Sequence, residues 1–156
     1  MGEETRIYYG AWDPRGWEGS PPRGGVGIAT LPRDRFAELM VDPTTTGSGN
    51  YQMQTTVSSF LTSALRVEGA PQRFFVNADG LGPDAMLKIE LLDHRLQPLE
   101  NYSGTQAAVV RTSGFQTPIV WNGKAALTDL PDRIRLRVTF AGAKKFDLRF
   151  SALYVQ

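Results

Sequence analysis

Residues 134–140, Ile134-Arg135-Leu136-Arg137-Val138-Thr139-Phe140, read as one half-buried β-strand and decide the fold class. Successive side chains of an extended chain point to opposite faces, so Ile134, Leu136, Val138 and Phe140 share one side. Arg135, Arg137 and Thr139 share the other, which makes one face core and the other solvent. Phe146, Leu148 and Phe150 repeat the alternation against Asp147 and Arg149 after an Ala141–Lys145 turn. The two segments are therefore expected to pair as antiparallel strands.

Working outward, Met86 to Leu92 alternates in the same way, with Leu87, Ile89 and Leu91 forming an apolar face expected to be buried. Arg73–Ala78, Ala107–Thr112, Pro118–Trp121, Gln52–Val57 and Ser63–Val67 are further strand candidates, and Asn122-Gly123 after Trp121 is a turn signal. Near the N-terminus Arg6–Trp12 reads as an aromatic strand followed by the polar loop Asp13–Gly25. Val26–Leu31, the turn Pro32–Arg35 and Phe36–Val41 read as a hairpin. Only Phe60-Leu61 and Ala125–Leu130 leave room for a helical turn.

The 16 glycines and 10 prolines fall between these runs, the punctuation of strands joined by turns. No internal repeat is present. The fold class is all-β: a two-layer antiparallel β-sandwich, jelly-roll-like, of about ten short strands. Residues 1–41 read as blade-like strands packed on the sandwich, 42–50 as a Thr-, Gly- and Ser-rich connector, and 51–156 as the sandwich.

Composition bounds the function. The chain has 156 residues, enough for one core, and its 41% hydrophobic and 21% charged residues are ordinary for a globular protein. With 17 Lys and Arg against 16 Asp and Glu, and no basic run, nucleic acid is not an expected partner. Apolar runs such as Ala107–Val110 are too short to span a bilayer, and the N-terminus lacks a signal-peptide pattern, so neither membrane insertion nor a secretion signal is expected. The compartment stays open, and a parent protein could be extracellular. There is no cysteine, which excludes thiolate chemistry, and the single His94 weighs against zinc or iron. No cofactor is expected, and only an oxygen-ligated ion such as calcium fits.

Arg73 to Ser103, containing Val76-Asn77-Ala78-Asp79 and Glu90-Leu91-Leu92-Asp93, resembles a segment in the C-terminal β-sandwich of clan-J-like, five-bladed-propeller glycosidases and their uncharacterised relatives. The likeness continues through Val120-Trp121-Asn122-Gly123-Lys124, Leu130, Ile134 to Val138 and Phe146 to Phe150. Ile7 to Trp12 resembles a last blade strand, with Gly27 to Thr30, Arg33 and Phe36 in its partner hairpin. The resemblance implies a sandwich preceded by a blade remnant, with the catalytic carboxylates of such enzymes lying upstream of anything present here. The chain would then be a truncated derivative or a small stand-alone relative. Gly104 to Ala108 is short and neutral where the family has a longer acidic stretch, so a ligand held there by relatives is not expected.

The candidate carbohydrate-binding residues are aromatic, since exposed rings stack on sugars: Trp12 and Trp17 beside the Gly- and Pro-rich loop, Trp121 before its turn, and Tyr102. For Trp12 and Trp121 the alternative is packing in the core, while the neighbours of Trp17 are all polar or glycine. Asp79, Asp84 and Asp93 are oxygen donors near turns and the candidates for calcium, although their spacing matches no calcium loop and solvated turn carboxylates are the alternative. Catalysis has no assigned residues: Glu18, Glu38, Glu68 and Glu100 are not placed in facing pairs, and His94 sits in a polar turn. The leading expectation is a non-catalytic module that binds carbohydrate. Its rivals are a protein-interaction module, forming a homo-oligomer through the N-terminal hairpin, and a hydrolase acting through Asp and Glu.

Overall fold

The computed structural model describes residues 4–12, 24–42, 58–67, 69 and 71–156. They contain eleven β-strands and no α-helix, in two compact units, Met1–Phe36 and Ala37–Gln156. No helix among them is long and apolar enough to cross a membrane.

The first unit is a ribbon. Strands β1 (Glu4–Trp12) and β2 (Gly24–Pro32) pair antiparallel along nine positions, with Tyr9 opposite Gly27. The Tyr9 ring lies across Gly27, whose lack of a side chain leaves room for it. The expected turn follows: Arg35 N–H donates to the Pro32 carbonyl at 3.2 Å, and Asp34 takes a φ of 57°. The expected return strand Phe36–Val41 does not pair with β2. Leu39, which like Phe150 belongs to the second unit, instead exchanges backbone hydrogen bonds of 2.8 and 2.9 Å with it. A short apolar run shows that a segment can be a strand but not which edge it joins.

The second unit is a two-layer sandwich. In its first sheet, β3 (Ser58–Leu61) and β4 (Leu65–Arg66) lie along one edge of β10 (Arg133–Ala141). β10 then pairs with β6 (Met86–Asp93), and β6 with β7 (Ala108–Val110). In the second sheet β11 (Arg149–Val155) flanks one side of β5 (Gln72–Asp79), while β8 (Gly114–Pro118) and β9 (Ala126–Leu127) follow one another along the other. The chain changes sheet between β4 and β5, β5 and β6, β7 and β8, β9 and β10, and β10 and β11. This is the alternating path of a jelly roll.

One core fills the space between the sheets. Phe74, Val76, Ala78 and Phe150 come from one inner face; Leu87, Ile89, Leu91, Ile134, Leu136, Val138 and Phe140 come from the other. Each large side chain so buried contributes about 1.5–3 kcal/mol relative to exposure. The alternation of 134–140 and the apolar odd face of 87–91 are both realised, though Leu92, on the even side, is buried as well.

β10 and β11 are not a hairpin. They belong to different sheets because the loop between them is anchored to the 80–85 loop. Lys144 N–H donates to the Asp84 carbonyl at 2.9 Å, and Gly142, at a φ of 98°, packs its Cα against that carbonyl. Gly80, at a φ of 74°, packs in the same way against the Asp147 carbonyl. Lys145–Asp147 forms a 3-10 turn, which leaves Phe146 exposed while Leu148 and Phe150 reach the core. The two expected helical turns are also absent: Phe60-Leu61 lies in β3 and Ala126-Leu127 forms β9, both held by backbone pairing to a neighbouring strand. The strand expected over Pro118–Trp121 ends at Pro118. Gln52–Val57 and residues 43–50 of the expected connector lie outside the described residues.

Candidate functional site

Strands β10 and β6 pair over eight consecutive positions without a bulge, from Ile134 opposite Asp93 to Ala141 opposite Met86. An unbroken register keeps every second side chain on one face. Arg133, Arg135 and Arg137 therefore stand in a row on the outer face of the first sheet, roughly 7 Å apart along the strand. Arg66 on β4 is opposite Arg133, and Lys88 on β6 is opposite Thr139. Five basic side chains thus share a face with one carboxylate, Glu90, opposite Arg137.

Glu90 is held on all sides. Its Oε1 accepts the Gly104 N–H at 2.9 Å and lies 3.7 Å from Lys88 Nζ, while its Oε2 lies 3.5 Å from Arg137 Nη1. With its side chain only 12% exposed, Glu90 is a fixed carboxylate that joins Lys88 and Arg137. Arg135 donates from Nη1 to the Thr62 carbonyl at 3.0 Å, and its Nε is buried with no hydrogen-bond partner. An unpaired buried guanidinium N–H is costly, so Arg135 is held short of full satisfaction.

The row runs into a cleft. A cavity of about 420 Å³ opens where β6 ends and β10 begins, lined by His94, Pro131, Asp132 and Arg133. Both walls are pinned by backbone. Asp93 Oδ1 accepts the N–H groups of Arg95 and Gln97, each at 2.8 Å, which fixes the turn carrying His94. The Asp132 carbonyl accepts the Val67 N–H at 3.0 Å. An imidazole, a carboxylate and a guanidinium supply donors and acceptors suited to hydroxyl groups. Among the described lining residues Asp132 is the one carboxylate. A second groove of about 210 Å³, lined by Leu39, Met40, Val41, Ser58, Ser59, Phe60 and Phe140, is mainly apolar.

The aromatic residues expected to bind sugar are not gathered here. Trp121 is 1% exposed, which corrects its reading as a sugar platform. Its indole N–H donates to the Ile89 carbonyl at 3.1 Å, and its ring meets Phe74 edge-on at 5.4 Å. The Asn122-Gly123 turn, with φ values of 51° and 78°, loops the chain out between β8 and β9 and drives the tryptophan inward. Tyr102 is half-buried in a 3-10 turn, its ring 6.4 Å from Trp121, so it completes the packing around that indole. Trp12 ends β1, but its side chain, like all of Trp17, lies outside the described residues.

The expected calcium donors are spread over separate turns. Asp79 ends β5 opposite Arg149, Asp84 sits in the following loop, and Asp93 caps the turn at His94. Among the described residues no three His, Asp or Glu side chains come together as a metal site. Sequence reasoning missed the arginine row because it searched for contiguous basic runs. In a strand, cations that share a face are two residues apart, and Arg133, Arg135 and Arg137 carried that signal. No protein-family model matches the chain, and no curated protein or solved structure was found similar to it.

Proposed function

We propose that this chain is a non-catalytic carbohydrate-binding β-sandwich module, of the accessory kind found beside propeller glycosidases, with its sugar site in the cleft at His94, Asp132 and Arg133. The observation that carries this reading is the cleft itself. Its volume of about 420 Å³ is in the range of small-molecule sites, and three hydrogen-bonding side chains converge on it from backbone that is already fixed. Isothermal titration with neutral and acidic oligosaccharides tests it. Saturable binding at one site, lost in Asp132→Asn and weakened in His94→Ala, is the expected result. Absence of binding to every sugar sinks the reading.

A second reading has its own observation. Tyr8 and Ile28, opposite each other on the β1–β2 ribbon, are 64% and 57% exposed, and Val26 is 77% exposed. Apolar side chains so open on a two-stranded ribbon suit a partner surface or a second copy of the chain. Light scattering after gel filtration separates the readings: a dimer that Ile28→Lys converts to a monomer favours the interaction module.

A further inference from the structure

We infer that the outer face of the second sheet is a further sugar site, a platform on which a neutral oligosaccharide stacks against Phe75, Phe115 and Tyr154. This rests on the carbohydrate-binding reading and adds a site that the cleft at His94 does not include. Phe74, Val76 and Ala78 are buried in the core, so the alternate residues of β5, Arg73, Phe75, Asn77 and Asp79, are on its outward side. On the flanking strands Tyr154 and Pro118 are both opposite Phe75, and the Phe115 ring meets the Tyr154 ring edge-on at 6.3 Å. Val120, between the buried Ile119 and Trp121, is 40% exposed and extends this side past Pro118. A sheet face open to water is ordinarily polar, yet the middle of this one is aromatic and aliphatic.

The rings are held in place before any ligand arrives. Asn77, fully buried beside them, donates from Nδ2 to the Tyr154 hydroxyl at 2.6 Å and accepts the Gln116 N–H through Oδ1 at 2.7 Å. Both pairings of β5 shift register around Asn77, and bulges of this kind re-aim side chains beside binding sites. Phe75, Phe115 and Tyr154 all stay partly exposed, so each fixed ring keeps some surface open to a ligand. Size and charge decide which ligand that is. The patch runs about 14 Å along β5 and about 10 Å across three strands, a footprint on the order of 150 Å². A standard protein interface covers about 800 Å² on each partner, so the patch is too small for a stable dimer and suits a short length of sugar chain. Arg73 and Asp79 lie at the two ends of the outward row and its centre carries no charge, so nothing there tracks a phosphate backbone. Sugars with equatorial substituents, such as β-linked glucose and xylose, present C–H groups to an aromatic face and keep their hydroxyls at the rim.

The test is titration of the isotope-labelled full chain with cellohexaose and with xylohexaose, followed through its backbone amide resonances. Saturable shifts at Phe75, Gln116 and Thr117 are the expected result, persisting in Asp132→Asn, which removes cleft binding. The affinity read from these shifts should fall about tenfold in Phe115→Ala. If that variant no longer melts cooperatively, Val120→Asp takes its place, since it sets a charge at the exposed edge of the platform without emptying the ring cluster. Unchanged affinity in the folded variant overturns the inference. Shifts confined to the surroundings of His94 and Asp132 also overturn it while leaving the cleft reading intact. Shifts at Phe75 and Gln116 with none at the cleft support it and move the sugar site of the module to this face. Absence of shifts with either sugar removes both sites. A dimer in light scattering that Val120→Asp separates overturns it in favour of a second copy of the chain.

Discussion

The two outer faces of the sandwich are built on opposite plans. On the first sheet the β10–β6 ladder is regular over eight positions and spends its outward residues on charge. On the second sheet β5 is flanked by irregularities on both sides, with register shifts at Phe150/Ala152 in one pairing and Val76/Ala78 in the other. Asn77 sits between them, fully buried. Its Oδ1 accepts the Gln116 N–H at 2.7 Å and its Nδ2 pairs with the Tyr154 hydroxyl at 2.6 Å. Gln116, at a φ of 49°, depends on that support. On the second face the polar side chain is an amide closed between two strands, although the buried Ser151 hydroxyl at the bulge has no partner; on the first the polar side chains are charged and Glu90 joins Lys88 and Arg137.

Substitutions break or sharpen this contrast. The reference for both faces is Trp121, which joins the sheets: Trp121→Ala removes a buried ring and the bond to the Ile89 carbonyl, and should cost about 3–5 kcal/mol in urea denaturation. Asn77→Ala should cost about 2 kcal/mol by the same measurement, since it strands the Gln116 N–H beside a bulge. A neutral result would remove the case that the second face is held by its own polar network. Gly142→Ala places a Cβ against the Asp84 carbonyl at a positive φ and should cost roughly 1–3 kcal/mol, read as an earlier thermal transition. The smallest effect belongs to the charged face: Arg133→Ala should change stability by less than about 0.5 kcal/mol while weakening oligosaccharide binding in the cleft. A large loss of stability there would make the row structural and erase the contrast.

How much of this was legible follows from what each signal encodes. Alternation along β5, β6 and β10 is local, and a strand buried on one side must show it, so those elements and their inner faces could be read directly. The Asn122-Gly123 turn was equally local. Partner choice was not: Phe36–Val41 and the 146–150 segment both read as hairpin arms, and both pair elsewhere. Leu39 goes to Phe150 because backbone groups there are open, a fact about the assembled sheet. Phe60-Leu61 and Ala126-Leu127 are too short to show a period and are strands only because β10 and β5 offer them an edge.

The candidate site divides in the same way. Trp121 drew attention as an aromatic beside a turn, yet its exposure depends on whether that turn points into or out of the sandwich, and it points in. His94 read as a surface turn residue and is one, but only the folded chain sets it beside Asp132 and Arg133, some forty residues later. By itself the sequence determined that the chain is all-β, that residues 134–140 have a core face, and that Arg135 and Arg137 lie on the other, because side-chain alternation is a property of a single extended strand. Only the tertiary structure decided which strands are neighbours, that β10 and β11 belong to different sheets, and that the arginines of β10 join Arg66 and Lys88 on one open face. Those outcomes depend on long-range backbone pairing, which a local pattern permits but does not select.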